Sequence, residues 1–298
     1  MKVLVTGSHG LVGTALVESL TAKNHQTARL VRSSSPSTTD ITWNPDTGTI
    51  DKEKLEGFDV IFHLAGESIA SGRWTNEKKR KIRESRVKGT QLLAKTLAQL
   101  SRRPSTLISA SAIGYYGNRG DELLTEKSRA GNEFLSDVCV EWESATAPAS
   151  EARIRVVLAR FGIILDKNGG ALAKMLTPFR MGIGGRVGDG KQWMSWIALD
   201  DIIGGLNFVA ESELISGPVN FVAPNPVTNA EFTKTLGRVL SRPTLFPVPE
   251  FGARLAFGEM ADALLLSSQR VDPTRLKSEN YSFRFSVLDN ALRHILKK

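Results

Sequence analysis

Residues 2–13 read KVLVTGSHGLVG. A short apolar run ends in a glycine, and apolar residues then recur at helical spacing from Leu11 through Val12, Ala15, Leu16 and Leu20. A buried strand followed at once by a helix is the reading this pattern supports. Gly7, Gly10 and Gly13 fall at the turn between them, in the order T-G-x-x-G-x-x-G. Gly7 suits the tight turn, Gly10 lets a backbone approach a pyrophosphate, and Gly13 lets helix and strand pack closely. The first N–H groups of the helix, from Leu11 and Val12 onward, then face the phosphates with a partial positive charge. The expectation is a dinucleotide site built on the first strand.

Working outward, the chain alternates strand and helix. Strands are expected at Thr27–Arg32, Ile41–Trp43, Asp59–Gly66, Ser105–Ala112 and Arg155–Leu165, and helices at Thr75–Leu100 and Asn132–Ala147. Alternation of this kind predicts βαβ units and a parallel sheet. The fold class expected is α/β: a Rossmann-type doubly wound parallel sheet over residues 1–165, with a smaller C-terminal α/β substrate lobe over 166–298. Some later segments are expected to return to the main sheet. Ligands of such folds sit at the carboxyl ends of the strands.

The end of the second strand selects the cofactor. An NAD site needs an acid there for the ribose hydroxyls. Here Val31 and Arg32 are followed by serines, with no acid before Asp40. A guanidinium suits a phosphate dianion, so NADP(H) is favoured over NAD. His9, inside the turn, is a further candidate for a phosphate contact, with a solvent-facing loop histidine as the alternative.

Composition narrows the remaining classes. The chain has 298 residues, a net charge of +8, 41% apolar residues and one cysteine, Cys139. That composition buries a large core and leaves no intramolecular disulfide. Four scattered histidines (His9, His25, His63, His294) make no zinc pattern. No apolar run approaches the ~20 residues of a membrane helix, and the N-terminus does not read as a secretory signal. The expected setting is cytoplasmic. The basic run Lys78–Arg83 has no interleaved aromatic platform and reads as a solvated helix face rather than a nucleic-acid surface. The partner expected is a small molecule, with neither nucleic acid nor membrane, and a homodimer is the assembly considered.

The ordered set TGSHGLVG, HLAGESI, RWTNEKKRKIRESRVKGTQLLAK, SASAIGYYG, FLSDVCVEWE, MLTPFRMGIGG, GDGKQWMSWIALDDI and FVAPNPVTNAEFTKTLG resembles the epimerase-family branch of the extended short-chain dehydrogenases/reductases. Members of that branch carry a small C-terminal domain of unassigned function, here at about 245–296. The resemblance covers essentially the whole chain. It implies NADP(H) on the Rossmann domain, with Leu64, Ala65 and Gly66 beside the cofactor. Arg86 and Lys81 would face the same cleft from the long helix, and Ile164 would pack near the nicotinamide half. Ser109 and Ser111 lie on one face of the fifth strand, with Ser111 at the family's catalytic serine.

One departure stands out. Working short-chain dehydrogenases carry Tyr-x-x-x-Lys on the helix after the fifth strand. Here that helix reads NEFLSDVCVEWESATA, with no Tyr and no Lys. Phe134 or Leu135 takes the tyrosine's place and Val138 or Cys139 the lysine's. The remaining catalytic candidates are Ser111, Tyr115, Tyr116 and Glu67, the last expected to have a pKa raised by partial burial. Gln192, Trp193 and Trp196 are candidates for the substrate crevice, as are Arg73 and Trp74. Asp200 and Asp201 read as helix caps. The function expected is an NADP(H)-dependent oxidoreductase on an unknown small molecule. The alternatives are a non-catalytic NADP(H) sensor and a sugar-nucleotide epimerase or dehydratase.

Overall fold

Val3, Leu4 and Val5 have no exposed surface, because β1 (Lys2–Thr6) lies inside the sheet and is covered on both faces. Burying each such side chain stabilises the fold by about 1.5–3 kcal/mol. The structure is a computed structural model that describes residues 1–32 and 40–298. The serines read after Arg32 lie outside the described residues.

Around β1 run β2 (Gln26–Val31), β3 (Asp40–Asn44), β4 (Thr49–Ile50), β5 (Val60–His63), β6 (Thr106–Ala112), β8 (Arg155–Phe161) and β12 (Gly217–Phe221). The order is β12-β8-β6-β5-β1-β2-β3-β4, parallel except for the β3–β4 edge. The order reverses between β1 and β5, which makes the crevice above those two strands the switch point of a doubly wound sheet. The short β7 (Leu123–Leu124) lies outside this sheet.

Helices cover both faces. Leu16 and Leu20 of α1 (Leu11–Ala22) share a core with Ile202 and Leu206 of α6 (Leu199–Glu211). On the other face, Leu93 and Leu97 of α2 (Asn76–Ala98) pack with Ala149 of α4 (Ala147–Glu151). Between these two helices in sequence lies α3 (Phe134–Ser144). Thr75 caps α2 by accepting from the Lys78 N–H. All five basic side chains of the Lys78–Arg83 run meet a carboxylate, from Glu67, Glu259, Glu84, Glu77 and Glu141 in turn.

The strand expected over Arg155–Leu165 is two strands. β9 (Ile163–Leu165) leaves the main sheet at Gly162 and pairs with β11 (Trp196–Ala198). A Cβ on Gly162 would collide with Ser195 O and stand 2.7 Å from Val222 Cγ1. Only a bare backbone fits that crossing.

A third core joins α5 (Gly170–Arg180), α7 (Asn229–Leu240) and α11 (Leu288–Leu296) around the fully buried Trp196. The antiparallel pair β10 (Trp193–Met194) and β13 (Val227–Thr228) borders it. α8 (Glu250–Phe257) and α9 (Glu259–Ala261) follow, then β14 (Arg270–Val271), which pairs with β7, and α10 (Thr274–Ser278). Segments from both halves of the chain thus contribute to the main sheet and its cover. α6 and β12 are the returning elements.

Asp200 and Asp201 sit in the first turn of α6, where a carboxylate suits the helix dipole. Neither is the cap that sequence suggested, since Ala198 is the N-cap and no side chain caps this end, and Asp201 instead has another role. Its carboxylate accepts from the N–H groups of Arg284 (2.7 Å) and Phe285 (3.0 Å), which ties down the C-terminal segment. Burial raises its pKa despite those bonds.

Candidate functional site

Gly7 has φ +66°, and a Cβ there would stand 2.6 Å from Leu64 O. A Cβ on Gly13 would run into Gly7 O. Both glycines are therefore required by close backbone contact, at the turn and at the helix–strand crossing. Gly10 is the N-cap of α1, and no side chain caps that end. The first turn, which includes Leu11 and Val12, also carries no acid. Its N–H groups are left to a ligand, and their dipole favours an anion. His9 and Gly10 are exposed at the mouth of the turn, and Ser8 Oγ is buried without a partner among the described residues. These residues fit a dinucleotide's phosphates. Leu11 packs toward Gly169, and Ile164 lies half-buried near Gly170 on the far side of the same crevice.

The second wall of the turn is Leu64–Ala65–Gly66, which follows β5. Thr6 Oγ1 accepts from the N–H groups of Leu64 and Ala65, both at 3.1 Å. Its own proton then goes to His63 Nδ1 at 2.8 Å. His63 Nε2–H in turn donates to Thr90 Oγ1 at 2.9 Å. The network thus assigns a neutral Nε2–H tautomer. Full burial holds His63 neutral, with its pKa lowered to about 4. Trp142 Nε1–H also donates to Thr90 Oγ1 (2.9 Å), and the Arg86 guanidinium stacks on Trp142 with a 5.0 Å separation. Arg86 Nη1 donates to the carbonyls of Glu67 and Ile82, both at 3.0 Å. Burial lowers the Arg86 pKa.

Arg32 is exposed at the end of β2, while the Val31 side chain is buried and offers a ligand only backbone. The Glu67 expectation is reversed. Its pKa is lowered, first by a 2.6 Å bond from Lys78 Nζ, against a smaller upward effect of burial. The charges of Arg32 and Lys81 lower it further, so three cations gather near this carboxylate. Lys81 itself is exposed and paired with Glu77 at 2.7 Å.

Three other candidates are placed differently than expected. Ser111 is 2% exposed and donates to Glu143 Oε1 at 2.6 Å, so its proton is already engaged. Glu143 is bound in a fork by Arg160 Nε and Nη2, both at 2.8 Å. Arg160 Nη1 also donates to the Tyr116 hydroxyl (3.0 Å), which donates to Asn220 Oδ1 (2.6 Å). Tyr116 has no exposed surface, and burial pushes its pKa up to about 12. It is a core residue rather than a crevice tyrosine. Ser109 is fully buried beside His63 in the β5–β6 register, with Oγ unpartnered, and is closed to a ligand. Tyr115 is half-buried under the Arg160 guanidinium (3.5 Å), and its hydroxyl has no partner among the described residues.

On α3, Leu135 and Cys139 face the turn after β6: both approach Gly114, and Cys139 Sγ contacts Ala112 O at 3.8 Å. Burial raises the Cys139 pKa to about 11, so it is no thiolate nucleophile. Leu135, Phe134 and Trp74 line a cleft of about 380 Å³ roofed by residues of the Glu250–Leu266 segment. Gln192 lines it too, but Trp193 and Trp196 do not. Trp196 is lobe core, and Trp193 Nε1 donates to Asp121 Oδ1 (2.7 Å). Arg73 donates to Leu255 O on the roof at 2.5 Å.

Comparison with known proteins agrees with this architecture. The family model of the NAD dependent epimerase/dehydratase family matches residues 3–220. The chain belongs to that family. Residues 248–295 match a domain of unknown function, DUF1731. Epimerase family protein Mb2239 of Mycobacterium bovis is 42% identical over 290 residues, covering 97% of this chain and 96% of that protein. The human epimerase family protein SDR39U1, crystallised with NADPH, superposes with a TM-score of 0.93 at 33% identity, covering 100% of both chains. A nucleoside-diphosphate sugar epimerase from Corynebacterium glutamicum gives 0.83 at 40% identity, over 99% of this chain and 58% of that one.

The α3 face toward the turn after β6 carries no titratable pair of Tyr and Lys. Leu135 and Cys139 are one helical turn apart on that face, both approaching Gly114. Sequence reasoning passed over His63 and Thr6, which hold the Leu64–Gly66 wall. It also passed over Glu133, which precedes Phe134 and lines the cleft. A legible signal for Glu133 is its place just before α3, at its N-cap position. His63 gave only the signal of a polar residue ending an apolar strand. Among the described residues, no group of three or more His, Cys, Asp or Glu is placed to hold a metal ion. No helix among them is long and apolar enough to cross a membrane.

Proposed function

We propose that this protein is an NADP(H)-dependent oxidoreductase acting on a small molecule held in the cleft beside α3. The observation that carries the reading is the uncapped N-terminus of α1 behind Gly7 and Gly13, with Arg32 exposed at the adjacent strand end. The first-turn N–H groups of α1 would bind the pyrophosphate, and Arg32 the 2′-phosphate. The Thr6–His63 pair would keep the Leu64–Gly66 wall in place. When bound, the nicotinamide supplies or accepts a hydride. The NADPH of the human relative supports the cofactor choice. Tyr115, with its unpartnered hydroxyl, is the proton donor we favour among the residues read from sequence. Ser111 is assigned to positioning through Glu143. A cytoplasmic homodimer belongs to the same proposal.

The test is calorimetric titration followed by turnover against a carbonyl panel. Arg32→Ala is expected to weaken NADPH at least tenfold, since charge-assisted bonds contribute roughly 1.5–3 kcal/mol, and to leave NADH nearly unchanged. Equal losses for both cofactors would remove Arg32 from the phosphate site. Tyr115→Phe is expected to lower turnover without changing NADPH affinity.

A second reading, NADP(H) binding without turnover, is favoured by one observation. The α3 face where the family's proton-transfer pair is expected carries Leu135 and Cys139, and Ser111 has its proton committed. Tight NADPH binding with no hydride transfer to any carbonyl or imine would select it.

A further inference from the structure

The chain carries a net +8, yet among the described residues the cleft beside α3 is lined by five carboxylates and one guanidinium. They are Glu133, Asp189, Glu250, Glu259, Asp262 and Arg254. Arg254 is already held between Glu250 (3.1 Å) and Asp262 (2.9 Å). Glu259 pairs with Lys79 (2.5 Å). Glu133 and Asp189 have no cation within ion-pair distance among the described residues. Each accepts a single backbone N–H, from Asn118 (3.1 Å) and Lys191 (2.9 Å), through one oxygen.

Gln192 supplies an independent observation. It is 8% exposed and lines the cleft. Its Nε2 donates to Val187 O (3.0 Å) and Leu265 O (2.9 Å), so both amide protons are used. Its carbonyl oxygen is thereby fixed as an acceptor, with no partner among the described residues. A pinned acceptor beside two unpaired carboxylates calls for a ligand rich in donors. Trp74 and Phe134, edge to face at 5.5 Å, supply an apolar wall. Lys79 Nζ already lies 4.9 Å from the Phe134 ring centre, which shows that the ring tolerates a cation. The carboxylates do not converge tightly enough for a metal ion, so the complementary cation is an extended organic one.

We propose that the substrate is an amine-bearing small molecule. Its ammonium groups are held by Glu133, Asp189 and the Gln192 carbonyl, and its carbon skeleton lies on Trp74 and Phe134. A nucleoside diphosphate is excluded by the same charges. Its phosphates would meet carboxylates, and the guanidinium that lines the cleft among the described residues, Arg254, is already occupied by two of them. The proposal rests on the reading of this cleft as the substrate site.

The test uses the full-length protein in a calorimeter, with spermidine and UDP-glucose as probes, each with and without saturating NADPH. Spermidine is expected to bind and UDP-glucose to give no heat. Asp189→Asn, on an exposed turn, and Glu133→Gln are each expected to weaken spermidine roughly tenfold while leaving melting temperature and NADPH affinity unchanged. Spermidine binding that ignores both variants is adsorption elsewhere and overturns the proposal. So does UDP-glucose binding, or silence from both probes. If NADPH fails to bind while spermidine binding remains sensitive to both variants, the cofactor reading falls and the charge preference of the cleft stands.

Discussion

His63 shows how one side chain links a strand to the cofactor turn. It is neutral in the fold, with a pKa of about 4 against an ordinary 6.5. Between those values the unfolded chain takes up a proton that the fold refuses. Its contribution is therefore complete above about pH 6.5 and is lost as pH falls toward 4, about 3 kcal/mol in all. Urea unfolding across pH 4–7 is expected to show this acid loss in the native protein. His63→Gln is expected to be less stable at pH 7 and to lose less on acidification. Parallel curves for the two proteins would refute the buried-neutral assignment. At this scale the sequence was legible where backbone geometry dictates the residue type, as at Gly7 and Gly13. It was opaque where a side chain's role depends on distant partners. Ser111 is legible, but Glu143, which accepts its proton, and Arg160, which binds Glu143, lie 32 and 49 positions away. Glu67 was placed correctly at the strand end and given the wrong sign, because Lys78 was unseen.

At the scale of elements, the helices α1 and α2 matched their sequence signals closely, since apolar spacing and the Thr75 cap are local. The strand after α4 did not. Continuous β propensity across Arg155–Leu165 hides the break at Gly162. An isolated glycine in a strand pattern signals a close backbone approach, but the approaching carbonyl belongs to Ser195, far along the chain. Gly162→Ala is expected to cost roughly 1–3 kcal/mol from overpacking, read as a lower urea midpoint at an unchanged slope. A variant as stable as the native protein would mean that β9 can shift without loss. The same locality explains α3. Its existence was readable, and so was its lack of Tyr and Lys, but which residues face the turn after β6 required the three-dimensional register.

For the whole molecule, strand and helix alternation was enough to give the doubly wound sheet, because each βαβ unit is encoded in adjacent sequence. The cleft was not readable, since its walls come from residues near 74, 118, 133, 189 and 250–266. The C-terminal segment contributes to two separate hydrophobic cores. Leu276 belongs to the main core, and Leu288, Leu292 and Ile295 to the small-lobe core. A chain ending at Leu240 is expected to lose its cooperative calorimetric transition and to bind a hydrophobic dye. A sharp transition in that fragment would show that the segment is a dispensable appendage.

The roof of the cleft is fastened at both ends. Val248 exchanges backbone hydrogen bonds with Arg186 (2.8 Å) and Gly188 (2.9 Å), and Ser268 is bonded to Asn118 (3.0 Å) and Arg119 (3.0 Å). Between those anchors it is held by Arg73 at Leu255 O and by the Lys79–Glu259 pair. A span fixed at two points would admit a ligand by bowing rather than by swinging on a hinge. Residence time would then depend on how often Arg73, Lys79 and Gln192, which donates to Leu265 O, let go of the roof, and would shorten as ionic strength weakens the Lys79–Glu259 pair.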